Sequence, residues 1–148
     1  MPEPHSQPYA GDVSSEAAWE LLSTVPEATL VDVRTAAEWA FVGVPDLGAL
    51  GKEPILAEWQ SYPTMAVDPA FAAGLAATLA AGGVGPDAPV LFLCRSGARS
   101  RAAAIALTAA GFKTCLNVAG GFEGPPDGDG HRGRVDGWKA RGLPWRQS

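Results

Sequence analysis

Residues 89–93, PVLFL, form an unbroken apolar run. It is followed at once by Cys94, by the polar stretch Arg95-Ser96-Gly97-Ala98-Arg99, and by an alanine-rich segment over residues 100–110 that Gly111 closes. Five apolar residues without polar alternation are too few for a buried helix and read as a strand covered on both faces. Such a strand needs helices above and below it, which constrains the chain to a layered α/β arrangement.

The remaining periodicities agree. Residues 9–13 predict a short edge strand, and Ser14 is placed to cap a helix whose first turn carries Glu16, an acid favoured by the helix dipole. Ala18, Leu22 and Val25 recur at helical spacing until Pro26 stops the pattern. TLVDV at residues 29–33 reads as a strand, residues 36–41 as a short helix, and residues 55–59 as a second short apolar run. Asp68-Pro69 predicts a cap followed by proline at the first helical position, with Phe71, Leu75 and Leu79 on one face and Gly82-Gly83 as the stop. Residues 114–118 read as another strand, residues 120–133 as loop, and residues 136–141 as a final helical turn. Strand and helix alternate, so the expected fold is one α/β domain over residues 9–148. It has a small, mostly parallel five-stranded sheet with helices on both faces, preceded by a loose tail over residues 1–8. Right-handed crossovers then bring every strand-to-helix loop to the carboxyl edge, where such sheets bind ligands.

Composition narrows the function. The net charge of −5 argues against nucleic acid as a partner. No apolar run approaches the roughly 18 residues of a membrane span, and the first residues, MPEPHSQPYAG, predict no leader. Two cysteines are too few for a disulfide framework and fit no zinc spacing, so a reduced, cytoplasmic protein without metal is expected. The charge is unevenly spread, with −10 over residues 1–93 and +5 over residues 94–148, a second half suited to a small anion.

The segment around Cys94 carries the chemistry. A cysteine ending a central strand, followed by a tight loop and a helix, faces the unpaired N–H groups and partial positive charge of the helix start. A loop curled over that start points several N–H groups at one spot and makes an anion cradle. Gly97 permits the sharp turn. N–H groups and arginines around a sulfur favour its anionic, nucleophilic form. A buried core cysteine is the plainer alternative, but it gives no reason for Arg, Ser, Gly and Arg to crowd the next five positions.

CRSGARS after a strand resembles the active-site loop of rhodanese-like domains. VDVR at residues 31–34, Glu38-Trp39, NVAGG at residues 117–121, Trp138 and GLPW at residues 142–145 fall in the order of that family, so the resemblance spans about residues 9–146. It implies a sulfurtransferase in which Cys94 is catalytic and carries sulfur as a persulfide. Arg95, Ser96, Gly97, Ala98, Arg99 and Ser100 would bind the small anionic donor, a thiol, protein or cyanide would accept the sulfur, and no cofactor would be required. The chain departs from the family in reading FVGVPDLGAL where a histidine-proline-glycine stretch is usual, and in the longer interval between Gly121 and Trp138. Cysteine phosphatases carry C-x5-R, whereas Arg99 here makes C-x4-R and Ser100 holds the phosphatase arginine position. The smaller cradle suits one sulfur atom better than a phosphoryl group. A phosphatase or arsenate reductase on the same fold, and a non-catalytic sulfur carrier, are the competing readings.

Asp32 and Arg34 are expected to fix loops beside the sheet edge, and Cys115, at the opposite end of its strand from Cys94, to be core. Trp19 and Trp39 are expected in the core, while Trp59, Tyr62, Met65 and Phe122 either line the pocket or pack. Residues 122–133 leave the edge that holds Cys94 and are expected over the pocket mouth, with a plain surface excursion as the alternative.

Overall fold

The structure is a computed structural model, and it describes residues 8–61 and 66–147. The elements are β1 (Gly11–Val13), α1 (Ser15–Thr24), β2 (Thr29–Asp32), α2 (Ala36–Val42), β3 (Val44–Pro45), β4 (Ile55–Leu56), β5 (Gln60–Ser61), β6 (Ala66–Val67), α3 (Phe71–Ala81), β7 (Val90–Leu93), α4 (Ala98–Ala109), β8 (Cys115–Val118) and β9 (Trp145–Arg146). Five strands form the main sheet in the order β1-β8-β7-β2-β4, and every neighbouring pair in it is parallel. β3 and β9, and β5 and β6, form two small antiparallel ribbons at its margin.

The period-two geometry of the strands divides the interior into two layers. Val31, Val33, Val90, Phe92, Cys94 and Cys115 point to one face and pack with Phe71, Leu75 and Leu79 of α3 and Ala103, Ala104 and Leu107 of α4. Leu30, Leu91, Leu93 and Val118 point to the other, against Ala18 and Leu22 of α1 and against Leu47, Phe122 and Trp138. All four residues of β7 are buried, as its unbroken apolar run requires. The same alternation puts Cys94 in line with Val90 and Phe92, on the face that α4 covers.

Several boundaries differ from the sequence expectation for local reasons. The helix after Cys94 begins at Ala98, because Gly97, at φ 114°, turns the chain directly into it. α3 begins at Phe71 and not at Pro69, because the Asp68 carboxylate accepts the Ala70 N–H at 2.9 Å and holds an extra turn ahead of the helix. Residues 136–141 form turns with a single i to i+4 bond from Arg141 N–H to the Gly137 carbonyl at 3.0 Å, not a helix. Gln60–Ser61 and Ala66–Val67 pair as the β5–β6 ribbon, which no periodicity announced; Tyr62 and Met65 lie outside the described residues, as does most of the N-terminal tail. Among the described residues no helix is long and apolar enough to cross a membrane.

At the end of β2 the chain buries an ion pair completely. Arg34 Nη2 lies 2.6 Å from Asp32 Oδ2, both side chains are fully buried, and Nη2 also donates to the Gly43 carbonyl at 2.7 Å. The Arg34 guanidinium stacks 4.2 Å from the centroid of Phe122. This pair therefore ties β2 to the end of α2 and to the segment after β8, in keeping with the expected structural role. Breaking such a pair leaves an uncompensated charge in the interior. Asp32→Ala is expected to lose roughly 3–5 kcal/mol of stability, while Asp32→Leu combined with Arg34→Met recovers most of the loss. Urea unfolding of the three proteins measures both effects.

Candidate active site

Cys94 follows β7 at the carboxyl edge of the sheet, one residue beyond the point where Leu93 pairs with Asp32. Its sulfur is almost wholly enclosed, with 1% of the residue exposed. Gly97 N–H donates to Sγ at 3.1 Å, and Ser100 Oγ lies 3.2 Å from it. The first intrahelical bond of α4 runs from Arg101 N–H to the Gly97 carbonyl. Among the described residues the N–H groups of Arg95, Ser96, Ala98 and Arg99 meet no acceptor. The loop beside the sulfur and the helix start thus carry several unused donors, the groups from which an anion cradle is built.

Two glycines allow the loop to close. A Cβ on Gly97 would stand 2.5 Å from the Ala119 carbonyl oxygen, and one on Gly121, at φ 67°, would stand 2.5 Å from the Arg95 carbonyl carbon. With no side chain there, the residues after β8 lie against the loop. Phe122 N–H donates to the Cys94 carbonyl at 2.8 Å, and Glu123 and Gly124 N–H both donate to the Arg95 carbonyl at 3.0 Å. Residues 122–124 therefore hold the Cys94 loop in place through backbone bonds.

The rest of that excursion is bonded locally. Among the described residues the hydrogen bonds and ion pairs of residues 125–133 stay within the excursion. Asp127 N–H donates to the His131 carbonyl, Gly133 N–H to the Glu123 carbonyl, and Arg134 lies 3.7 Å from Asp127. Gly124 packs against the backbone of Asp136, and the segment doubles back on itself.

Arg99 and Arg95 separate into different roles. Arg99 makes a bidentate bond to Glu38, Nη1 to Oε1 at 2.7 Å and Nη2 to Oε2 at 3.0 Å. Glu38 also completes a capping box with Thr35 at the start of α2. The bond to Glu38 outweighs burial and holds the Arg99 guanidinium above its ordinary range. Burial pushes the Glu38 carboxyl up, but the bonds from Arg99 and from the Thr35 backbone overcome it and hold the group below 4.5. The pair's contribution to stability is therefore full above pH 4.5 and is lost as pH falls through that lowered value. Arg99, expected to meet an anion, thus spends its fork of donors fastening the cradle to α2. Arg95 is exposed, and among the described residues no side-chain partner holds its guanidinium. Ser96 and Ala98 are exposed beside it, whereas Ser100 is buried behind the sulfur.

The other candidates are packing residues or lie apart. Cys115 is fully buried and pairs in register with Val90, four residues along the strand direction from Cys94. Strand rise makes that separation about 13 Å, and both cysteines are free. Burial pushes the Cys115 thiol up, which keeps it unreactive. Trp59 packs edge-on against Phe71 at 5.0 Å, and Phe122 is fully buried under Arg34. Trp19 packs against Trp138 at 5.9 Å. Trp39 is a correction, because it is only half-buried and lines a surface groove with Ala36, Ala40, Val44, Leu56 and Arg146. α2 is too short, and too tightly fixed through Glu38, to turn that ring into the core. Among the described residues no group of three or more histidine, cysteine or acidic side chains is placed to hold a metal.

Sequence reasoning did not assign Glu38 and Asn117 any role at the sulfur. The capping box was readable in T-x-x-E before α2, but its second contact, 61 residues away in sequence, was not. Asn117 sits on the α4 face of β8 and meets Ser100 at 2.5 Å, a contact fixed by strand register alone.

Comparison with known proteins places the molecule. An uncharacterized protein of Rickettsia conorii, RC0915, is 36% identical over 142 residues, covering 91% of this chain and 96% of that protein. A protein of Rickettsia montanensis from the dnaA 5′ region, also uncharacterized, matches to the same extent. Among solved structures, that of Rv0390 from M. tuberculosis superposes with a TM-score of 0.83 at 50% identity, covering 95% of this chain and 99% of that one. The polysulfide-sulfur transferase of Wolinella succinogenes, a 30 kDa homodimer in solution, superposes with a TM-score of 0.58 at 28% identity, covering 95% and 80%. Residues 14–124 match the rhodanese-like domain, and the chain belongs to that family.

Proposed function

We propose that this protein is a sulfurtransferase that moves a sulfane sulfur through a persulfide on Cys94. The observation that carries the reading is the cradle, in which the sulfur accepts the Gly97 N–H at the start of α4 while neighbouring N–H groups meet no acceptor among the described residues. Family membership and the likeness to a polysulfide-sulfur transferase support it.

In the first step the Cys94 thiolate attacks the outer sulfur of thiosulfate. The new S–S bond forms as the bond to the inner sulfur breaks, and sulfite leaves with the electron pair. An organic persulfide reacts in the same way and releases a thiolate. In the second step cyanide, or a thiolate of a small molecule or protein, attacks the outer sulfur of the Cys94 persulfide. Thiocyanate or a new persulfide departs and the Cys94 thiolate returns. The unused N–H groups stabilise the anionic outer sulfur in both steps. Arg95 draws the anionic donor to the mouth. The enclosure of Cys94 admits a small donor, and the added S–S length of about 2 Å carries the transferable sulfur outward to an acceptor. These steps suit a reduced, cytoplasmic setting.

The C-x4-R spacing disfavours phosphoryl chemistry. The position a phosphatase needs for arginine is Ser100, whose hydroxyl is engaged by Asn117 behind the sulfur. An aryl phosphate assay run beside thiosulfate separates the two activities.

Mass spectrometry after thiosulfate treatment is expected to find one added sulfur, about 32 Da, on the Cys94 peptide of a reactive thiolate. Cys94→Ser should fold and transfer nothing, whereas Cys115→Ala should transfer normally. Sulfur transfer by the Cys94→Ser protein would overturn the reading. Arg95→Ala is expected to raise the KM for thiosulfate about tenfold, the worth of one charge-assisted bond, with little change for a neutral donor. Glu38→Gln frees part of the Arg99 charge and should lower that KM in a salt-sensitive way. Steady-state kinetics at two ionic strengths read both.

A further inference from the structure

A line of polar groups runs from the edge strand to the sulfur. Tyr9 Oη donates to Asp12 Oδ1 at 2.8 Å, and Asn117 Nδ2 donates to the same oxygen at 3.1 Å. Asn117 Oδ1 lies 2.5 Å from Ser100 Oγ, which lies 3.2 Å from Cys94 Sγ. Asn117 and Ser100 are buried, whereas Asp12 is exposed on β1.

A count of protons gives the line a direction. A serine hydroxyl has one proton. Ser100 has three acceptors within reach, namely Asn117 Oδ1, the Gly97 carbonyl at 3.2 Å and Cys94 Sγ. The Asp12 carboxylate only accepts, so the Asn117 amide must turn its Nδ2 toward Asp12 and its Oδ1 toward Ser100. Two oxygens 2.5 Å apart repel unless a proton lies between them, and only Ser100 has one to give. Its proton therefore points at Asn117, and its lone pair faces the sulfur.

We propose that Asp12 and Asn117 are positioning residues that hold the Ser100 proton away from Cys94 and so restrain the reactivity of the resting thiol. The proposal rests on Cys94 being the reacting group. Gly97 N–H is then the bonded donor to the sulfur, and Ser100 turns only a lone pair to it. When the sulfur loses its proton, Ser100 can solvate the anion only by giving up its bond to Asn117. A hydrogen bond to an ionised group is worth more than one between neutral groups, so withholding it slows formation of the nucleophile.

The rate at which iodoacetamide alkylates Cys94 at neutral pH, followed on the Cys94 peptide by mass spectrometry, tests this without any sulfur donor. Asn117→Leu removes the acceptor and frees the Ser100 proton. Its rate is expected to rise about tenfold, the order of one hydrogen bond gained by a charged group. Asp12→Ala leaves the fold's backbone bonds intact and lets the amide turn, so its rate is expected to rise by a smaller factor. In a Ser100→Ala background neither substitution should change the rate. The proposal is overturned if Asp12→Ala, checked for folding by circular dichroism, leaves the rate unchanged, or if the increase persists without the Ser100 hydroxyl. A protein that shows these alkylation changes yet transfers no sulfur refutes the sulfurtransferase reading and leaves the positioning role standing.

Discussion

Three backbone hydrogen bonds, from Phe122, Glu123 and Gly124 to the carbonyls of Cys94 and Arg95, join the segment after β8 to the loop after β7. They exist because Gly121 has no side chain to hold the two backbones apart. The loop carbonyls are thereby turned toward the protein, and the Gly97 N–H is left facing the sulfur. Without this junction the short turn from strand to helix would lack its outer wall, and the donors of the cradle would have no fixed direction. Phe122, carried by the same junction, reaches the α1 side of the sheet and lies under the Arg34 guanidinium, so the buried Asp32–Arg34 pair and the Cys94 loop share one support.

Charge is distributed around the site by pairing more than by position in the chain. The positive second half of the sequence suits an anion, yet most of its charge near Cys94 is engaged. Arg99 is bound to Glu38 on α2, and Lys139 lies 4.0 Å over the Trp145 ring and 5.2 Å over Phe122. Arg95 alone among the loop arginines presents an exposed guanidinium. A cradle built mainly from backbone N–H groups, with one exposed cation at its mouth, has the character that the proposed transfer of a small anionic sulfur requires.

Side-chain periodicity explains why Cys94 and its polar surroundings face one layer. Cys94 continues the inward set Val90 and Phe92, and Asn117 continues the set that begins at Cys115, so both meet α4. Ser100 lies in the first turn of α4 and fits between them. The helix that gives the cradle its donors also supplies the hydroxyl behind the sulfur, and the edge strand supplies, through Asp12, the group that orients it.

Much of this was legible in the chain. PVLFL required a strand covered on both faces, alternation of strands and helices required a parallel α/β sheet, and C-R-S-G-A-R-S after that strand placed a cysteine at the carboxyl edge beside a helix start, because each is a local pattern whose physical meaning does not depend on distant residues. The loop glycine was readable for the same reason. What the sequence left open depended on contacts between segments far apart in the chain. Arg99 reads as a free cation until α2 brings Glu38 against it, and the bonds from residues 122–124 to the Cys94 loop depend on a close approach that Gly121 permits. Asn117 reads as one polar residue in a strand until parallel register sets it between Asp12 and Ser100. Local spacing determined which chemical groups the chain owns and where its elements lie; only the packed structure decided which of those groups remain free to meet a substrate, because pairing and burial are properties of neighbours in space.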